Sequence, residues 1–233
     1  MKIENALIIG GGHGIGLGLA QSLLESNPGS NIYVTYRKEE LASELLQTKA
    51  VAKRVDPSSE TELEEYFEQL PKLDLIVCAI GALQNPEKSV RDLNIEALTK
   101  AFIVNAAIPS LICKHAKKCL DRNTESSMVF LSAMVGSISD NAIGGWYGYR
   151  ASKAALNQLI KTASIEYTRG GYKTKLALIH PGTTETELSK NFLGGVKHRI
   201  WTPKESAENI LHVIDHLNES GVFKNWDGTT IPW

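Results

Sequence analysis

The chain is poor in cysteine: Cys78, Cys113 and Cys119 are the three in 233 residues, and no Cys-x-x-Cys spacing occurs. That excludes a disulfide framework and a thiolate metal site. The odd count, with Cys78 inside an apolar run, fits reduced thiols buried as small hydrophobes, and so a cytoplasmic location. The six histidines are scattered without metal-ligand spacing, so no metal is expected. Charge of one sign is also missing: 25 Lys and Arg against 26 Asp and Glu leave a net charge of −1, which asks for neither nucleic acid nor an anionic membrane as partner. The first sixteen residues hold only a short apolar run broken by glycines, unlike a secretory signal. No window is expected to supply the roughly 20 apolar residues of a membrane-spanning helix. Internal repeats, low-complexity tracts and linkers are absent too, so residues 1–233 read as one domain.

What the chain has is hydrophobic content, 42% of it, arranged in alternating strand-like and helix-like segments. Ala6 to Ile9 is a short continuous apolar run, the pattern of a strand buried on both faces of a parallel sheet. The helical spacing of LGLAQSLLES follows, ending at Asn27-Pro28-Gly29, and Ile32 to Val34 reads as the next strand. The pattern then repeats. Lys38–Thr48 reads as a helix, Ala50–Val55 as a strand, Glu60–Leu70 as a helix and Leu73–Ala79 as a strand. A long helix lies within Val90–Leu120, Ser127–Leu131 and Thr174–Ile179 are strands, and a helix lies between them. Thr202-Pro203-Lys204-Glu205 is a helix start with cap, first-turn proline and a glutamate three residues on; that helix runs to about Leu217, with a last short strand at Val222-Phe223. Such alternation implies an α/β fold: a doubly wound parallel sheet with helices on both faces.

Between the first strand and first helix stands Gly10-Gly11-Gly12-His13-Gly14-Ile15-Gly16. Glycines at 10, 14 and 16 permit a left-handed turn and a close backbone approach to a pyrophosphate, and the helix behind them offers free N–H groups and the positive end of its dipole. A strand-helix-strand unit of this kind is the dinucleotide-binding context. In NAD-binding folds an acid about 20 residues further on holds the ribose 2′-hydroxyl. Here that place is taken by Tyr36, with Arg37 and Lys38 behind it. A cation there suits the 2′-phosphate of NADP(H), which Arg can hold bidentately, so NADP(H) is preferred over NAD(H). His13 adds to the same charge. Asp56, ending the third strand, either bonds the adenine amine or caps the helix after Pro57-Ser58-Ser59.

The last motif is Tyr149-Arg150-Ala151-Ser152-Lys153. Four residues apart on a helix, Tyr149 and Lys153 share a face. A neighbouring ammonium favours the phenolate and brings a phenol, ordinarily near pKa 10, into use as an acid or base.

A glycine turn of this spacing together with Tyr-x-x-x-Lys near residue 150 resembles the short-chain dehydrogenase/reductases over essentially the whole chain, with a Rossmann fold implied. GSISDNAIGGWYGYRASKAALN and the ending WDGTTIPW resemble the C-factor-like branch, which includes bacterial cell–cell signalling proteins and carbonyl reductases. The resemblance implies that Gly10, Gly12, His13, Gly14, Ile15 and Gly16 form the cofactor turn. Arg37 and Asp56 contact the adenosine half, and Pro181-Gly182 with Thr186 covers the nicotinamide carboxamide. It implies that Asn105 kinks the central helix and holds a relay water, and that Tyr149 gives the proton while Lys153 lowers its pKa and holds the nicotinamide ribose. Two places depart from the family pattern. Its Asn-Asn-Ala-Gly is Cys78-Ala79-Ile80-Gly81 here, with Gly81 keeping room for the cofactor; its catalytic Ser falls on Ala133. Ser132 is the expected substitute and Ser137 the alternative.

The activity expected is NADPH-dependent reduction of a carbonyl compound, or the reverse. The alternative is a sensor or signalling protein that binds NADP(H) with negligible catalysis. The segment 187–201 falls where the family has its mobile lid. Phe192, Leu193, Val196 and Trp201 either line an apolar pocket or simply pack, Gly194-Gly195 offers a hinge, and Trp146, Tyr147 and Met134 are further pocket candidates. A homodimer or homotetramer is implied by the family alone.

Overall fold

The computed structural model describes residues 2–83 and 85–233. Seven parallel strands form one sheet in the order β3-β2-β1-β4-β5-β6-β7. They are β1 (Asn5–Ile9), β2 (Asn31–Tyr36), β3 (Val51–Arg54), β4 (Leu75–Cys78), β5 (Ser126–Leu131), β6 (Thr174–His180) and β7 (Val222–Asn225). The helices are α1 (Gly14–Ser26), α2 (Glu60–Gln69), α3 (Ile95–Phe102), α4 (Ile108–Ala116), α5 (Tyr147–Arg169) and α6 (Pro203–Asp215). The expected doubly wound Rossmann architecture is therefore the one observed.

The continuous apolar runs are explained by two cores. Along β1, Leu7 and Ile9 enter one core while Ala6 and Ile8 enter the other; β4 divides likewise, Ile76 and Cys78 against Leu75 and Val77. The first core is closed by Leu63 and Phe67 of α2, Ile112 and Ala116 of α4, and Leu156 and Ile160 of α5. The second is closed by Leu19 and Leu23 of α1 and Ile210 and Val213 of α6. A strand covered on both sides has no polar face to show. The three cysteines are free and buried in the first core. The predicted start of α6 is present in full: Thr202 and Glu205 exchange side-chain and backbone bonds, with Pro203 at the first position.

Three expectations are corrected. Lys38–Thr48 is no helix but two short 3₁₀ turns, Glu39–Leu41 and Leu45–Gln47. Only Ala42 and Leu45 turn inward there while Leu41 and Leu46 face solvent, and a short helix without an apolar stripe has nothing to hold it. The helix within Val90–Leu120 is not continuous either. A π turn at Ile103–Ala107 separates α3 from α4, with 3₁₀ turns at Val90–Asp92 and Lys117–Cys119 at the ends. Finally, Ile95–Cys119 does meet the length and composition of a membrane span, with mean hydropathy 1.4, although no such window was expected. In the fold this run lies against α2 and α5 and places Asn105, Ala106, Ile112 and Ala116 inward.

Strand order reverses between β1 and β4, so a crevice opens at their carboxyl ends, where open α/β sheets bind ligands.

Candidate active site

The glycine turn lies at that crevice. Gly10 has φ +84 and Gly14 φ +57, a conformation that costs glycine little. A methyl group on Gly16 would lie 2.4 Å from the Gly10 carbonyl oxygen and 2.8 Å from Gly11 Cα, so the helix and the strand end approach as closely as backbone allows. The N-cap residue of α1, His13, offers no side-chain cap to its first N–H groups. The cradle therefore keeps helix N–H donors that no side-chain cap claims, which fits a pyrophosphate. Thr186 arches over it: its γ-methyl is 3.4 Å from where a Gly14 Cβ would stand. Ile15 is half-buried and His13 exposed. Gly12 is held close to Tyr36: a methyl on it would lie 3.1 Å from Tyr36 Cβ, tighter than an ordinary contact.

Arg37 and Lys38 are exposed just past β2. Arg54, at the end of the neighbouring β3, donates to the Arg37 carbonyl at 3.2 Å and adds a cation that the sequence reading missed. Asp56 accepts from the backbone N–H and hydroxyl of Ser58 at 3.0 and 2.6 Å; these bonds, with Arg37 and Arg54 nearby, hold its carboxyl below the ordinary range. The helix cap is Ser59, whose Oγ accepts from Glu62 N–H, so Asp56 shapes the turn before α2 without being its cap.

On the other side of the crevice, Tyr149 and Lys153 share one face of α5. Lys153 is 3% exposed and its ammonium donates to the Leu131 carbonyl at 2.8 Å. Burial pulls its pKa down to about 8. The Tyr149 hydroxyl makes no hydrogen bond among the described residues, and burial pushes it up to about 12. Lys153 Nζ is 5.9 Å from the Tyr149 ring centroid. The expected lowering of the Tyr149 pKa by Lys153 is thus not seen in this geometry: the ammonium is aimed at Leu131, and desolvation dominates both groups.

Asn105 sits at the centre of the π turn, so the kink expected of it is present. Its amide exchanges two hydrogen bonds with Ala82, accepting at 2.8 Å and donating at 2.9 Å, and donates to Ser152 Oγ at 3.1 Å. Gly81 leaves an opening between these groups: a methyl there would be 3.6 Å from Lys153 Nζ, 3.7 Å from Asn105 Oδ1 and 3.8 Å from Leu188. The structure therefore brings Gly81, Asn105 and Lys153 together beside Tyr149, with Leu188 above.

The two serine candidates have other partners. Ser132 is buried at the end of β5 and donates to Asn157 Oδ1 at 2.7 Å. Ser137 donates to the Pro232 carbonyl at 2.6 Å. Asn157, four residues beyond Lys153 on the same helix face, went unnoticed in the sequence, although a polar residue continuing the Tyr149–Lys153 stripe was a usable signal.

In the 187–201 segment, Phe192 lies 5.2 Å from Trp146, which lies 6.2 Å from Tyr149, so an aromatic series leads to the phenol. Trp201 is no pocket residue. It packs on Trp226 at 4.8 Å and closes over Gly182, where a methyl would meet its ring at 2.8 Å. That contact, and the Ser206 hydroxyl on the Pro181 carbonyl, explain the Pro181-Gly182 turn with φ +76 at the glycine. Gly194 and Gly195 stand in open space, the latter at φ +86. Tyr147 is exposed, and Met134 packs against the first core.

Comparison with known proteins agrees with this geometry. A family model described as short chain dehydrogenase matches residues 4–195. The chain is 30% identical over 185 residues to the 1-hydroxy-2-glutathionyl-2-methyl-3-butene dehydrogenase of Rhodococcus sp. (strain AD45), covering 77% of this chain and 78% of that one. It is 31% identical over 158 residues to the C-signal of Myxococcus xanthus, covering 67% and 84%. Among solved structures, an NADPH-bound carbonyl reductase from chicken fatty liver superposes with a TM-score of 0.87 at 25% identity, covering 100% of both chains. The carbonyl reductase Sniffer of D. melanogaster gives 0.87 at 23% identity, covering 99% of this chain and 100% of that one.

Proposed function

The chain belongs to the short chain dehydrogenase family, an oxidoreductase with relatives of the carbonyl reductase and C-signal kinds, and from that starting point we propose that it reduces an aldehyde or ketone to an alcohol with NADPH. The observation that carries this is the convergence of Tyr149, the buried Lys153 and the Asn105–Gly81 opening on the crevice that the glycine turn also faces. The residues fit the cofactor: an uncapped glycine cradle for the pyrophosphate at Gly10–Gly16, cations at Arg37 and Arg54, Asp56 for the adenine, and Gly182 and Thr186 over the carboxamide end. When bound, NADPH supplies the hydride. Tyr149, held near pKa 12, is protonated at neutral pH and gives its proton to the developing alkoxide. Lys153 turns its ammonium from Leu131 toward the nicotinamide ribose and the phenol, stabilising the phenolate left behind. Asn105 links this cation to solvent through water. Ser132 hydrogen-bonds the substrate oxygen, which requires its hydroxyl to leave Asn157. Phe192 and Trp146 give the substrate an apolar approach.

The runner-up is an NADP(H)-binding signalling protein with negligible turnover. What favours it is Ala133 at the usual serine position and the engagement of both Ser132 and Ser137 elsewhere. We take the protein as cytoplasmic, on its free buried thiols. We also take it as a homodimer or homotetramer joined through the exposed Ile95, Phe102 and Ile103 of α3 and the π turn and Leu159 and Ile165 of α5.

The test is a titration with NADPH and with NADH, followed by nicotinamide fluorescence. NADPH is expected to bind about tenfold tighter or more, a difference of about 1.4 kcal/mol. Arg37→Ala removes that preference by weakening NADPH alone. Equal loss for both cofactors would make Arg37 a general contact, and binding of neither would remove the dinucleotide reading altogether.

A further inference from the structure

We propose that Glu87 is a positioning residue: it fixes the first turn of α5 and thereby the orientation of Tyr149. Glu87 is 8% exposed and has no cationic partner among the described residues. A buried carboxylate without a cation is costly unless hydrogen bonds replace its water. The bonds it finds are all at the entry to the catalytic helix. Its Oε2 accepts from Gly148 N–H at 3.0 Å, and its own carbonyl accepts from Trp146 N–H at 2.6 Å.

That entry needs holding. Gly144, Gly145 and Trp146 are successively left-handed, with φ +72, +65 and +52. Glycine tolerates this; tryptophan, whose Cβ crowds the following carbonyl there, does so only under strain. Trp146 supplies no side-chain cap to α5, so the opening N–H groups depend on what lies opposite them. A carboxylate is the group that the positive end of a helix favours. Gly148 completes the fit: a methyl there would lie 2.9 Å from Glu87 Oε1, so a side chain at 148 would push the carboxylate from its present place. The first intrahelical bond of α5 runs from Arg150 N–H to the Trp146 carbonyl, which leaves Tyr149 in the turn most exposed to fraying. The loop that carries Glu87 also pairs with Asn105 through Ala82, so one loop braces both ends of the proposed proton path.

The test compares wild type with Glu87→Gln and Glu87→Ala by three readouts: residue-by-residue amide exchange, NADPH affinity, and steady-state reduction of benzaldehyde and butane-2,3-dione. Glu87→Ala is expected to lose exchange protection at Gly148, whose partner is the carboxylate, while Trp146, held by the main-chain carbonyl of residue 87, and later α5 amides keep theirs. Its kcat falls by about 10²-fold, the scale of an ångström misplacement, with KM for NADPH within about twofold. Glu87→Gln, which keeps an acceptor, restores most of both. The activity readout rests on the carbonyl-reduction reading, whereas the exchange readout does not. If wild type reduces neither probe, that reading is weakened and exchange alone decides about the clamp. Unchanged protection in Glu87→Ala, a fall in protection throughout the protein, or a loss in NADPH affinity as large as the loss in kcat each overturns the proposal.

Discussion

Tyr149→Phe is expected to bind NADPH as wild type does and to turn over at least 10²- to 10⁴-fold more slowly, the usual worth of a positioned general acid. The substitution removes one oxygen and leaves the ring. Its packing beside Trp146, 6.2 Å away, is preserved, and the hydroxyl has no hydrogen bond to lose among the described residues. Stability should therefore move little while chemistry collapses. A phenol held near pKa 12 is a competent proton donor at neutral pH but a poor base. Rates with NADPH and a carbonyl probe, set beside the fluorescence titration, check the expectation, and retention of most activity would remove Tyr149 from the mechanism.

Lys153→Met is expected to do two opposite things: stabilise the fold and abolish most turnover. The ammonium is 3% exposed with no carboxylate beside it among the described residues, and burial lowers its pKa from 10.5 to about 8. That displacement corresponds to about 3 kcal/mol of folding free energy lost at pH 7, where both folded and unfolded chains carry the proton. Methionine removes the charge but leaves the Leu131 carbonyl without this donor, a cost of about 1 kcal/mol at the low end. The net gain at pH 7 is then about 2 kcal/mol. Between pH 8 and 10.5 the unfolded wild type binds a proton that the folded form does not, so wild type gains stability as pH rises through that window. The advantage of the Met variant therefore shrinks there. Urea midpoints at pH 7 and pH 10 read this directly; a variant less stable than wild type at pH 7 would mean that the Leu131 bond and its surroundings meet the whole cost of burial.

The parts of the molecule legible in the sequence are those in which a local pattern has one physical meaning. A short apolar run such as Ala6–Ile9, set in a strand–helix alternation, fits a strand buried on both faces of a parallel sheet. Glycines at 10, 14 and 16 between such a run and a helix have few other uses, and Thr202 with Glu205 caps by chemistry internal to the segment. The missed features depend on partners far along the chain. Lys38–Thr48 carries helix-forming residues, but whether a helix persists depends on what its inward side chains meet, and only Ala42 and Leu45 meet anything. Trp201 is open in sequence between lining a pocket and packing, and Trp226 and Gly182 decide for packing. Ser132 is expected from its place beside Ala133, where the family's serine falls; that its hydroxyl faces Asn157 depends on a helix twenty-five positions later. Glu87 has no signature at all, because its role is defined by a glycine and a tryptophan some sixty positions later.

The π turn around Asn105 has a bearing on how such a chain can change its length. A turn of this kind holds one residue more than an α turn, so it acts as an insertion absorbed inside a helix. Loss of one residue between 103 and 107 would let α3 and α4 join as a regular helix with both flanks still in phase with α2 and α5. Asn105, however, would no longer sit at a bulge facing Ala82. A single-codon deletion here is thus a change that the scaffold accommodates and the site does not. It is a route by which a descendant of this protein could keep its shape and its cofactor cradle while giving up its chemistry.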